Sequence, residues 1–204
     1  MIGQECIDEL AAEAGVGDRV ADITARAMNG ELNFEAAIDE RVGLLKGLPL
    51  TVITSVLETR ITLAPGGETL LRTMKANGAY AALVSGGFVQ FTSAIAARLG
   101  FDENRANTLL ENGDTLSGKV QRPILGQEAK VDALKDITTR LNITTEDAIA
   151  VGDGANDLAM IHAAGMGVAL HAKPTVSAAA PIKVNHSDLT SLLYLQGYAK
   201  TDFV

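Results

Sequence analysis

The sequence predicts an α/β protein built on a parallel, doubly wound sheet. Short apolar runs alternate with helical segments from residue 64 onward, and two of those runs end in glycine-rich polar loops. Apolar strands separated by helices are the pattern of a sheet covered on both faces. At 204 residues and 47% hydrophobic composition, the chain can bury a full core.

Residues 1 to about 62 read differently, as helices with few strand signals. Ile7, Leu10 and Ala11 share one face; Val20, Ile23, Thr24 and Ala27 share a second; Phe34, Ile38, Val42 and Leu45 share a third. Residues 15–17, Asn29-Gly30 and residues 47–49 punctuate these helices. Residues 66–77 then predict a helix, 79–84 a buried strand and 88–99 a helix. A hairpin is expected over 105–120, with Asn112-Gly113 near its turn. Helix 127–140, strand 147–151, helix 155–164, strand 166–170 and a short strand at 182–184 complete the pattern. The expected division is 1–62 and 63–204.

Composition excludes several classes. The net charge of −8 argues against nucleic acid as a general partner. An anionic small substrate stays compatible, because the local field outweighs the net charge. A single cysteine, Cys6, permits no internal disulfide and suits a reducing compartment. No apolar run approaches the roughly 18–20 residues of a membrane span. No basic-then-apolar leader opens the chain, so a cytoplasmic location is expected.

The chemistry concentrates after residue 148. Ala148-Ile149-Ala150-Val151 ends in Gly152-Asp153-Gly154-Ala155-Asn156-Asp157, and a helix follows. Open α/β sheets bind ligands at the carboxyl ends of their strands. Asp153 and Asp157 offer hard oxygen donors suited to Mg²⁺, and the glycines let backbone approach a ligand. Asn156 adds an amide where a helix N-terminus favours anions. The same residues also suit a plain turn with a helix cap. Ser85-Gly86-Gly87 follows the strand at 79–84, and its hydroxyl and N–H groups would cradle a phosphate, though Ser-Gly-Gly is also an ordinary strand-to-helix turn. Lys130, on the helix before the Asp153 strand, would neutralise a phosphate or simply face solvent.

A Ser-Gly loop, a lysine and a Gly-Asp-Gly-x-Asn-Asp loop, in that order, resemble the haloacid dehalogenase superfamily of aspartate-dependent phosphatases. The resemblance covers nearly the whole chain, including Gly3-Gln4-Glu5-Cys6-Ile7-Asp8-Glu9-Leu10, Ala27-Met28-Asn29-Gly30 and Phe34-x₆-Arg41-Val42. It implies a Rossmann-like core at 63–204 under a helical cap at 1–62. It also implies Mg²⁺-dependent hydrolysis of a small phosphomonoester, first of all L-phosphoserine in serine biosynthesis. Carried over, Ser85, Gly86, Lys130 and Asn156 hold the phosphoryl group, with Lys130 also counted catalytic. Asp153 holds the metal, with Asp157 in support. Glu5 and Arg41 take the substrate's amino and carboxylate groups, and Met28 and Phe34 line the pocket. A zwitterionic substrate needs one anion and one cation, and arginine forks onto a carboxylate.

The chain departs from that family at its start. The family's nucleophile is the first aspartate of Asp-x-Asp-x-Thr, at the end of the first core strand, and Met1-Ile2 matches the apolar pair after that threonine. No Asp-x-Asp occurs in the 204 residues. The expectation is therefore that the first strand and the nucleophile are absent, and that Met1 is internal to a longer protein or a misassigned start. The 204 residues alone are then expected to be inactive and poorly stable. Cys6 has no recognisable base, and His162, His171 and His186 form no triad by spacing. A fragment that binds phosphate or an amino acid, or a relative acting on another phosphomonoester, are the alternative readings.

Overall fold

A computed structural model describes residues 1–28 and 31–204, without the Met28 side chain. In chain order the elements are α1 (Cys6–Glu13), α2 (Gly17–Met28), α3 (Phe34–Gly43), α4 (Thr51–Thr59), α5 (Gly67–Ala76) and β1 (Ala82–Phe88). Then come α6 (Val89–Leu99), β2 (Glu103–Asn107), β3 (Leu109–Asn112), β4 (Thr115–Val120), α7 (Gln127–Arg140) and β5 (Ile149–Gly152). The chain closes with α8 (Leu158–Ala163), β6 (Met166–Leu170), α9 (Pro174–Ala179), β7 (Ile182–Val184) and α10 (Ser191–Leu195). Two compact units emerge: Met1–Leu63 with Ser85–Ile124, and Ala64–Val84 with Leu125–Val204.

In the first unit, apolar residues at helical spacing fold inward. Ile7, Leu10 and Ala11 of α1, Val20 and Ile23 of α2, and Ile38 and Val42 of α3 are all buried. α1 packs on α2 and α4, and α2 packs on α3. Asn33 starts α3 by accepting from Ala36 N over 2.8 Å, which satisfies a backbone donor left free at a helix start. Phe34, expected on the inward face with Ile38, is instead 40% exposed. It sits at the first turn, where helical periodicity is least binding.

β3 and β4 form the expected antiparallel hairpin, with Asn112 opposite Thr115 and Gly113 at φ 60° in the turn. Residues 47–50 line the far edge of β4. Gly47 N donates to Leu116 O over 2.8 Å, and Leu116 N donates to Leu48 O over 2.9 Å. That third strand-like segment covers an edge that would otherwise expose unpaired backbone. It also explains why the helical part and the hairpin share one unit, with α3 packed on β4. The hairpin is shorter than 105–120, because residues 103–107 form β2 and pair with β1.

β1 differs from its expected span of 79–84. It begins at Ala82 and continues through Ser85-Gly86-Gly87 to Phe88. Glycines weaken a strand in isolation, but pairing with β2 supplies the tertiary support that propensity lacks. The Ser-Gly-Gly run is therefore strand, not loop, and α6 starts just after it at Val89.

The second unit holds a parallel sheet in the order β5-β6-β7, with Val151 beside Val168 and Val168 beside Ile182. Gly167, Val168 and Ala169 in β6 are buried, as a central parallel strand requires. α8 packs on β5 and β6, α7 on α8, and α9 on β6. Ile161, Ala169, Val176 and Ala180 form a buried cluster between these layers. The long α7 matches its expected span of 127–140. α9 and α10, at six and five residues, are too short for periodicity to reveal. No helix among the described residues is long and apolar enough to cross a membrane.

Leu116, 1% exposed, joins β4 to the first unit's core. Leu116→Ala should lower stability by about 2–5 kcal/mol. A urea unfolding midpoint unchanged from the parent chain would remove the hairpin from that core.

Candidate active site

β5 runs apolar to Gly152 and then stops, because the next two residues, Asp153 and Gly154, turn their backbone N–H groups onto one carboxylate. Asp157 is 4% exposed, and Lys130 of α7 is 9% exposed. Lys130 Nζ donates to Asp157 Oδ1 in a buried ion pair. The other oxygen, Oδ2, accepts from Asp153 N over 3.1 Å and Gly154 N over 3.0 Å. Asp157 N in turn donates to Gly154 O over 2.9 Å. A Cβ at Gly152 would lie 2.3 Å from Asp157 Cβ and Cγ, so only glycine admits the carboxylate here. The solvated alternative for Lys130 is excluded by its burial.

This lock decides what the neighbouring groups can do. Both Asp157 oxygens accept from groups inside the protein, so the carboxylate fastens the loop to α7. Asp153 is exposed, and among the described residues nothing donates to its carboxylate; its backbone N–H is held by Asp157 and its backbone oxygen accepts from Lys173 N over 3.3 Å. Asn156 lies in a short 3-10 turn, its Oδ1 over Gly154. Among the described residues no group of three or more His, Cys, Asp or Glu is placed to enclose a metal ion. Asp153 is the available oxygen donor at this strand end.

The first unit carries the other predicted residues. Ser85 and Gly86 lie in β1, and a Cβ built at Gly86 would sit 3.5 Å from Phe34 Cζ. The ring of Phe34 and the Ser85-Gly86 stretch of β1 are thus neighbours, although Phe34 leaves the helical core. Residues read from sequence as one phosphate cradle are divided, with Ser85 and Gly86 in the first unit and Lys130 and Asn156 in the second.

Arg41, near the end of α3, is half-buried. Its Nε donates to Ala37 O over 3.2 Å, and no carboxylate among the described residues lies within ion-pair distance. Burial pulls the guanidinium down from its ordinary range, while the charges of Asp8 and Glu5 push it back up. Glu5 is exposed at the start of α1, and Asp8 is a neighbour that spacing did not single out. Burial, then the charge of Glu5, pushes the Cys6 thiol up to about 12, so it is no nucleophile at neutral pH. The Met28 side chain and Asn29-Gly30 lie outside the described residues.

A strand-end carboxylate, a buried lysine on the preceding helix and a parallel sheet place the polar groups of an α/β protein where such sheets bind ligands. The haloacid dehalogenase-like hydrolase family matches residues 4–162, and the chain belongs to it. Over 202 residues the chain is 42% identical to the phosphoserine phosphatase of Streptomyces coelicolor, covering 99% of this chain and 49% of that one. It is 41% identical to the phosphoserine phosphatase of Lactococcus lactis, covering 95% and 89%. A solved, unliganded probable phosphoserine phosphatase from Vibrio cholerae superposes with a TM-score of 0.88 at 39% identity, covering 97% and 61%. The chain thus spans about half the length of the Streptomyces relative.

The Lys130–Asp157 pair generates a sharp expectation. Breaking a buried pair from one side strands the other charge, at a cost of about 3–5 kcal/mol. Lys130→Met and Asp157→Asn should each lower the unfolding midpoint, and the double variant should lose much less than the sum. Additive losses in a double-mutant cycle would show that the two charges do not support each other.

Proposed function

We propose that this chain supplies most of the site of a phosphoserine phosphatase, which converts L-phosphoserine to L-serine and phosphate. The observation that carries the reading is the half-buried Arg41 with no carboxylate of its own, beside Glu5. An amino acid presents one carboxylate and one ammonium group, and this cation and anion match them. Likeness to phosphoserine phosphatases over nearly the whole chain supports the same substrate.

In this reading Arg41 grips the substrate carboxylate, Glu5 takes its ammonium group, and Phe34 lines the apolar side. Ser85, the Gly86 backbone, Lys130 and Asn156 take phosphoryl oxygens, as the family resemblance implies. Lys130 does so from a position held by Asp157, which keeps the ammonium oriented without a solvent shell. Asp153 would hold Mg²⁺ as one of the one or two carboxylates such an ion takes, with water completing its shell. When bound, the ion would neutralise phosphoryl charge. The exposed, unpartnered Asp153 carboxylate fits that donor role, and Asp157 contributes by fixing the loop.

The covalent step of this family uses an aspartate of Asp-x-Asp-x-Thr as nucleophile, giving an aspartyl-phosphate that water then cleaves. None of the 204 residues stands in an Asp-x-Asp pair. By themselves they are therefore expected to bind and not to turn over, which is the specific observation favouring a binding fragment as the second reading. Phosphoserine hydrolysis by these 204 residues with Mg²⁺, well above a no-enzyme control, would overturn the aspartyl-phosphate route.

Binding separates the substrate roles without turnover. Arg41→Ala should weaken L-phosphoserine by about 10- to 100-fold, the loss of a charge-assisted bidentate pair. It should barely change phosphoethanolamine, which lacks the carboxylate. Equal losses by calorimetry on both ligands would make Arg41 structural and the amino-acid reading wrong. Asp153→Asn should abolish saturable Mg²⁺ binding while leaving the circular dichroism spectrum unchanged; retained Mg²⁺ affinity would remove Asp153 from the metal site.

A further inference from the structure

Asn107 closes β2 with a side chain only 2% exposed, an uncommon depth for an amide. Its Nδ2 donates to Gly86 O over 2.9 Å. The acceptor carbonyl of Gly86 and the N–H of Gly87 are opposite ends of one planar peptide group. That N–H donates to Ser85 Oγ over 3.0 Å. The peptide is therefore gripped at both ends. Any rotation that swings the Gly87 N–H off Ser85 must also break the bond from Asn107. A Cβ at Gly87 would crowd Ser85 Oγ at 3.2 Å, so the arrangement also depends on glycine there.

We infer that Asn107 is a positioning residue for the Ser85 hydroxyl, acting through the Gly86–Gly87 peptide. The inference rests on the phosphoryl role proposed for Ser85. A hydroxyl has one proton and two acceptor lone pairs. Phosphoryl oxygens only accept, so Ser85 must donate to them. Accepting from Gly87 N occupies a lone pair, turns the proton away from the backbone and strengthens the hydroxyl as a donor, since chained hydrogen bonds polarise one another. The amide orientation follows from the same logic: a carbonyl only accepts, so the NH₂ of Asn107 faces Gly86. Asn107 touches no ligand in this scheme; it sets the direction in which Ser85 offers its proton.

The test uses the 204-residue chain, inorganic phosphate as the probe, and the Gly87 amide resonance as a readout that general destabilisation does not mimic. Asn107→Leu keeps the volume and removes the donor. It should shift the Gly87 amide proton while distant amides stay in place, and weaken phosphate about 3- to 10-fold. Ser85→Ala should weaken phosphate about 10-fold, and adding Asn107→Leu to it should bring no further loss. If Asn107→Leu does not fold, Asn107→Ala serves in the same cycle. An unmoved Gly87 resonance, or additive losses in the double variant, overturns the positioning role while leaving Ser85 as a phosphate contact. If Ser85→Ala itself leaves phosphate affinity unchanged, the phosphoryl role of Ser85 fails, and the positioning role falls with it.

Discussion

The buried pair between Lys130 and Asp157 is the constraint on which the second unit's site depends. Two opposite charges this deeply buried each carry a desolvation cost of several kcal/mol, which only close pairing and further hydrogen bonds offset. Asp157 meets that condition on both oxygens, one facing the ammonium of Lys130 and the other facing two backbone N–H groups. The loop from Gly152 to Asp157 is consequently wrapped around one carboxylate, and its shape is inseparable from α7, where the lysine sits. Gly152 follows from the same demand, because any side chain there would occupy the carboxylate's place.

Satisfying Asp157 internally has an outward effect. The Asp153 carboxylate is left exposed at the end of β5, where its charge is offered to solvent or to a cation. In the first unit the same principle is inverted. Arg41 is half-buried, lowered from its ordinary range by burial and raised again by the charges of Asp8 and Glu5, with no ion pair among the described residues. In a protein of net charge −8, the local field at a site depends on how its individual cations are held. Lys130 and Arg41 are held in two different ways, one by a partner and one by burial.

The first unit also shows how a short polar strand is made rigid. β2 reads Glu103-Asn-Arg-Ala-Asn, with little that marks a strand, and β1 carries two glycines before its last residue, Phe88. The amide of Asn107 ties β2 to β1, and Gln90 of α6 makes reciprocal contacts with the backbone of Leu109 at the start of β3. Such ties do for a glycine-rich strand what packed side chains do elsewhere.

Periodicity alone disclosed the helices with long apolar faces, α1, α3 and α7 among them, and the apolar strands β5 and β6. The reason is that their burial is written in every third or second residue. The Asn112-Gly113 turn was legible because a turn demands its own residue types, and the order of Ser85, Lys130 and Asp153 carried the family. What tertiary structure decided was the fate of polar groups. Sequence shows that Lys130 and Asp157 exist but not that they meet, since they stand 27 residues apart and pair only once α7 packs on α8. β1 runs on through Ser85-Gly86-Gly87 because β2 is beside it, which no local propensity encodes. Phe34 leaves the core for Gly86 of β1, and residues 47–50 join the hairpin, for the same reason: backbone and side-chain partners come from segments far away in the chain, and only folding brings them within hydrogen-bonding or packing distance.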